Sequence, residues 1–148
     1  ATQAGLRTGL IDCRGLTSKF PEEAQQETAE ALHQSGAELI CLAGFMRLLR
    51  APLLDAFGGR ILNIHPSLLP SYPGLNAWAQ ALEAGARESG CTVHYVDAGM
   101  DTGQIVAQAA VPVLSDDTAE SLHSRIQIEE HRIYPEAIAK VAAEMRRD

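Results

Sequence analysis

Three polar residues combine reactive side chains with a placement typical of catalytic sites: Asn63, His65 and Asp101. Asn63 and His65 interrupt an apolar run of strand composition that stops at Pro66. They are two residues apart, so in an extended segment they lie on one side. Asp101 belongs to a segment of turn composition, Asp97 to Gly103. In open α/β sheets, loops beyond the carboxyl ends of strands are where reactive groups are held.

These side chains could together stabilise negative charge on a carbonyl oxygen. A carboxylate favours the protonated form of a nearby imidazole, and an asparagine amide adds an uncharged N–H donor. Two donors aimed at one atom would stabilise the tetrahedral intermediate of acyl transfer to an amine, while the His–Asp pair moves protons. Each residue also has a structural interpretation, as a hydrogen-bonded support or a local turn residue. Spacing alone leaves both interpretations open.

Composition predicts a single domain that binds a small molecule. The chain has 148 residues, 46% of them hydrophobic, which suffices for one buried core. Its net charge of −7 disfavours nucleic acid or an acidic membrane as the main partner. Cys13, Cys41 and Cys91 are odd in number and widely spaced, which predicts free thiols rather than disulfides or a metal site. Without a membrane-length apolar run or a signal-peptide pattern, the sequence predicts a cytoplasmic protein.

Hydrophobic periodicity predicts strands and helices that alternate. Such alternation is typical of a parallel sheet with right-handed crossovers. The predicted elements are a strand at Thr8 to Cys13, a loop at Gly15 to Phe20, a helix from Pro21 to Gly36, a strand at Glu38 to Ala43, a short helix at Pro52 to Phe57, a strand at Ile61 to His65, a helix at Leu75 to Ala84, a hairpin-like pair at Cys91 to Val96 and Gln104 to Val113, and a helical segment at Thr118 to Arg147 divided by Pro135.

Several separated blocks carry a resemblance to a known family. NIHPSLLP at 63–70 is followed by Tyr72-Pro73-Gly74, with LAGFMRLL at 42–49, SGCTVHYVDAGMDTGQIVAQAAVPV at 89–113 and IQIEEHRIYPEAI at 126–138. The chain resembles the folate-dependent formyltransferases, and within them those of purine synthesis. The resemblance implies transfer of a formyl group from 10-formyltetrahydrofolate to the amine of glycinamide ribonucleotide, without a metal.

The family pattern implies roles for individual residues. Asn63 would be the neutral oxyanion donor, His65 the proton donor, and Asp101 the residue that charges and orients His65. His94 and His131 would be structural supports. The implied folate-binding residues are Met46, Arg47, Leu48, Leu49, Asn63, Asp97, Ala98, Gly99, Met100 and Asp101, and the implied substrate-binding residues are Pro66, Gln127, Ile128, Glu129 and Glu130.

The resemblance also implies an α/β fold: a mostly parallel Rossmann-like sheet flanked by helices, with an antiparallel strand pair in the C-terminal half. Residues 1–148 would form one formyltransferase domain that is N-terminally truncated, because the family's first strand and its glycine-rich phosphate-binding turn find no match here. The sheet edges left open would favour a homodimer. The alternatives are a formyltransferase for another amine, a formyltetrahydrofolate hydrolase, or a folate-binding fragment without activity.

Overall fold

The computed structural model describes residues 2–13, 15 and 19–147. A short 3-10 helix at Thr2–Ala4 precedes eight elements. In chain order these are α1 (Glu22–Gln34), β1 (Ile40–Cys41), α2 (Ala51–Phe57), β2 (Ile61–His65), α3 (Ala77–Glu83), β3 (Glu88–Tyr95), β4 (Ile105–Pro112) and α4 (Ala119–Met145).

The sheet has the order β1-β2-β3-β4 and is flanked by helices, which confirms the predicted fold class. One detail differs from the expectation of a mostly parallel sheet. Among the strands that the structure describes, β1 and β2 pair in parallel, whereas β2–β3 and β3–β4 are antiparallel. The loop after β2 and the start of α3 stay at the carboxyl end of β2, so β3 enters the sheet from that end and runs in the opposite direction.

Two clusters of buried apolar side chains hold the layers together. One joins α4 to β3 and β4, through residues that include Leu122, Ile126 and Val93. The other joins α1 and α2 to the start of β2, through Phe57 and Ile61 among others. Burial of these side chains anchors β2 from both sides and fixes the end of the strand that carries the polar residues.

Two predicted elements are wrong. Residues 8–13 form no strand; Gly9 interrupts the segment and the Leu10 side chain is 92% exposed, so little apolar burial would stabilise pairing there. Pro135 does not divide the last helix, because α4 continues through it. Ile133 and Ala137, on either side of Pro135, pack into the same cluster, and this shared packing holds both halves in one helix.

The bounds of other helices and strands differ from the predicted bounds by a few residues. β1 is limited to two residues because Gly44 leads the chain out of the sheet soon after it. The predicted loop at Gly15 to Phe20 falls partly outside the described residues. No helix in the part of the chain that the structure describes has the length and apolar composition needed to span a bilayer.

Candidate active site

β2 delivers Asn63 and His65 to the bottom of a cleft at its carboxyl end. The strand lies between β1 and β3, and its register places Asn63 opposite His94 and His65 opposite Thr92. Only 4% of His65 is exposed. Because alternate residues of a strand face the same side, the two β2 side chains point toward one space, as their spacing predicts.

Asp101 reaches this space from the turn between β3 and β4. Its backbone is left-handed, with φ of 54°, an uncommon conformation for a residue with a side chain. Asp97 orders the turn, since its Oδ1 accepts hydrogen bonds from the Gly99 N–H at 2.9 Å and the Thr102 hydroxyl at 2.8 Å. At Gly103 a Cβ atom would lie 1.7 Å from the Tyr95 carbonyl oxygen, so only glycine fits there. The turn is therefore shaped to present the Asp101 carboxylate.

The His65 ring lies between two hydrogen-bond acceptors. Its Nδ1 is 3.3 Å from Asp101 Oδ2, and its Nε2 is 2.9 Å from the Tyr72 carbonyl oxygen. The Gly74 N–H also donates to Asp101 Oδ2, at 2.9 Å. A carbonyl oxygen accepts only, so Nε2 carries a hydrogen, and the Asp101 carboxylate is a second acceptor, beside Nδ1. The two acceptors hold the ring in one orientation.

His94 also belongs to this group of polar side chains. The sequence had indicated it only as a structural support. Its Nε2 lies 3.4 Å from Asn63 Nδ2 and 3.7 Å from Asp101 Oδ1. Its Nδ1 lies 2.8 Å from the Tyr95 carbonyl, which fixes a hydrogen on that nitrogen. The alternation in CTVHYV put His94 on one face of a strand, but the register that brings it opposite Asn63 was not readable from the sequence.

The cluster opens into a cavity of about 540 Å³. This volume is in the range of small-molecule sites. The predicted residues that line it are Met46, Arg47, Leu48, Leu49, Asn63, His65, Pro66, Asp97, Gly99, Met100 and Asp101. Further lining residues, which the sequence had not indicated as a site, are Leu42, Gly44, Phe45, Ile64, Gly74, Leu75, Asn76, Trp78, His94 and Val96.

Comparison with known proteins assigns the chain to a family. The formyl transferase family model matches residues 1–138, nearly the whole chain. The chain belongs to the formyl transferase family. The resemblance that the sequence blocks carried is thereby confirmed.

Two relatives in the formyl transferase family are similar in sequence to most of this chain. The trifunctional purine biosynthetic protein adenosine-3 of Drosophila melanogaster is 52% identical over 94% of the chain. The phosphoribosylglycinamide formyltransferase of Bacillus subtilis is 50% identical over 79% of the chain. The chain spans 10% of the first protein's length and 60% of the second's.

Solved structures of the family share the fold. The phosphoribosylglycinamide formyltransferase of Brucella melitensis superposes with a TM-score of 0.87 at 47% identity, over 96% of this chain and 72% of that one. Glycinamide ribonucleotide transformylase 1 of Symbiobacterium toebii is 62% identical, with a TM-score of 0.77 over 78% of this chain and 54% of that one.

The formyl transferase cavity does not include the predicted substrate-binding residues of α4. Gln127 and Ile128 are exposed, and Glu129 forms an ion pair with Arg132 at 2.6 Å. Glu130 is half-buried, and burial raises the pKa of its carboxyl group above the ordinary 4.5. Ala98 is likewise absent from the lining. The binding roles of these residues stay predictions.

Within residues 2–13, 15 and 19–147, no three His, Cys, Asp or Glu side chains are grouped so that they could hold an ion. All three cysteines are free thiols, as the sequence predicts.

Proposed function

We propose that this chain transfers a formyl group from 10-formyltetrahydrofolate to the amine of glycinamide ribonucleotide. The observation that carries the proposal is the convergence of Asn63, His65 and Asp101 at one cavity in a chain of the formyl transferase family. Two bacterial relatives are phosphoribosylglycinamide formyltransferases, which supports glycinamide ribonucleotide as the acceptor. The reaction belongs to purine synthesis, which the name of the insect relative also supports.

Each polar residue has a part in this reaction. As the amine adds to the formyl carbon, negative charge grows on the carbonyl oxygen, and the Asn63 N–H stabilises it. His65 adds a second donor when its Nε2–H turns from the Tyr72 carbonyl to the substrate. The new C–N bond to the amine forms first, and the C–N bond to the donor nitrogen then breaks. The His65 ring gives its proton to the departing nitrogen, and the proton that the amine releases returns to the ring. Asp101, 3.3 Å away, keeps the ring charged and oriented.

The lining of the cavity suits a flat, partly polar ring such as the pterin of a folate. Met46, Leu48 and Met100 line it with side chains that are 69%, 43% and 54% exposed. A bound ring would cover this apolar surface, and backbone groups of the turn at 97–101 suit its donor and acceptor edge. A formyl folate bound there supplies the formyl carbon. The partners are thus small molecules, and we place the reaction in the cytoplasm.

Calorimetric titration with a non-reactive analogue of 10-formyltetrahydrofolate tests this assignment of the cavity. We expect Leu48→Asp to weaken binding by at least about tenfold, because the ring would have to desolvate a carboxylate. Leu114→Asp is the matched control, since Leu114 is 47% exposed and lies outside the cavity lining. Equal affinity of both variants would place the folate elsewhere.

Glu130→Gln should raise stability while it weakens binding of the amine substrate. The folded state favours the protonated form of Glu130, so its stabilising contribution is complete below about pH 4.5 and is lost as the pH rises through the raised pKa. At neutral pH the glutamine variant should therefore melt up to a few degrees higher than the parent, with the difference vanishing near pH 4.

Thermal unfolding at several pH values, with KM for glycinamide ribonucleotide at neutral pH, measures both effects. Glu136→Gln is the matched control, because it breaks an exposed ion pair with Arg132 on the same helix and gives no such increase in stability. An unchanged KM in Glu130→Gln would exclude a role for Glu130 in the substrate site. A lower melting temperature at neutral pH would contradict the destabilising effect of its buried charge.

A further inference from the structure

The loop between β2 and α3 holds both members of the His65–Asp101 pair through its backbone. The Tyr72 carbonyl accepts from His65 Nε2 at 2.9 Å, and the Gly74 N–H donates to Asp101 Oδ2 at 2.9 Å. One short segment therefore sets the ring plane of His65 and the position of the carboxylate together. The relative placement of the two groups depends on where this loop lies.

Thr92 is the buried anchor of that loop. It lies on β3 directly opposite His65 and is 0% exposed. Its hydroxyl donates to the Ser67 carbonyl at 2.7 Å and accepts from the Leu69 N–H at 3.0 Å. Two backbone groups of the loop thus depend on one side chain, in a place from which water is excluded and unpaired groups are costly.

Gln108 completes the anchor from β4. Its Nε2 donates to the Leu69 carbonyl at 2.9 Å and to the Thr92 hydroxyl at 2.9 Å. Because the carbonyl can only accept, the amide must present its N–H end to the loop. The Thr92 hydroxyl then makes one donated and two accepted bonds, which is its full capacity.

We propose that Thr92 and Gln108 are positioning residues for the catalytic pair, acting through the backbone of residues 67–74. The proposal rests on the function proposed above. When either side chain loses its polar group, the Leu69 peptide loses a partner, and the loop shifts the Tyr72 carbonyl and the Gly74 N–H away from His65 and Asp101. Displacements near 1 Å in such sites reduce turnover by about a hundredfold.

Four variants separate positioning from a merely structural role. Thr92→Val and Gln108→Leu remove the polar groups, whereas Thr92→Ser keeps the hydroxyl. Gln34→Leu, at the exposed end of α1, is the control for a glutamine replaced by leucine. Gln108 is an exposed residue of an edge strand, so its leucine variant keeps the inference testable if Thr92→Val does not fold.

The decisive readout is the ¹⁵N signal of His65 Nε2 in protein labelled at histidine, assigned by its absence from His65→Ala. We expect the chemical shift of this signal to change in Thr92→Val and Gln108→Leu. It should be unchanged in Thr92→Ser and Gln34→Leu. In parallel, kcat should fall about tenfold to a hundredfold in the first two variants, with a smaller change in KM.

A double-mutant test asks whether the effect passes through His65. In the His65→Ala background, Gln108→Leu should lower kcat by far less than it does in the parent. Unmoved His65 signals in folded variants, or an equal loss of kcat in both backgrounds, would overturn the positioning role. If the parent itself were inactive, the proposed function would fail, while the NMR comparison would still decide whether Thr92 and Gln108 position His65.

Discussion

Replacing His65 by alanine is expected to lower kcat for formyl transfer by about a hundredfold to a thousandfold. The variant loses the ring whose Nε2–H, now on the Tyr72 carbonyl, is the proposed donor to the formyl oxygen and the proposed proton source. Steady-state kinetics with both substrates measures the loss. KM should change less than kcat, because the interaction grows as charge develops on the formyl oxygen.

The matched control is His33→Ala, which removes an exposed imidazole from the last turn of α1. It should keep the kcat of the parent, and thermal unfolding should confirm that both variants are folded at the assay temperature. A His65→Ala enzyme that retained near-full kcat would show that the formyl oxygen is stabilised by other groups.

Ile126→Ala should produce the largest loss of stability, about 2–5 kcal/mol in the free energy of unfolding. Ile126 is 0% exposed and lies in the cluster that joins α4 to β3 and β4. Truncation removes its apolar contacts and leaves a cavity that the close-packed surroundings cannot fill. Denaturant titration, with the same slope in parent and variant, measures the difference.

Ile128→Ala is the control on the same helix. Ile128 is 68% exposed, so its truncation should change the free energy of unfolding by less than about 1 kcal/mol. Similar losses in the two variants would mean that α4 packs with a different face toward the sheet than the structure shows.

The strand that carries the candidate site was predictable because its local signals agree with its environment. Ile61 and Leu62 are fully buried, Ile64 packs partly buried against the α4 cluster, and Pro66 ends the strand in sequence and in structure alike. The helix after Pro21 was predictable for the same reason. Its first turn is acidic and Gly36 follows its end, and both features agree with the bounds of α1. Thr8 to Cys13 lacked this agreement, since Gly9 interrupts the segment and Leu10 is 92% exposed.

The remainder of the site depends on contacts between segments distant in sequence. The register of β2 against β3 puts His94 beside Asn63 and Thr92 opposite His65, and periodicity within one strand does not determine register. The left-handed backbone of Asp101 is set by the turn around it. Composition predicted that turn, but not the direction in which it presents the carboxylate.

The most direct test of formyl transfer follows the formyl carbon itself. The 148-residue chain would be incubated with 10-formyltetrahydrofolate carrying ¹³C in the formyl group, with and without glycinamide ribonucleotide, and the label followed by NMR. Transfer predicts that ¹³C appears as a formamide on the ribonucleotide, only when that amine is present and not in the His65→Ala variant. Label released as formate without the amine would instead show hydrolysis, and label that remains on the folate in both mixtures would contradict transfer by this chain.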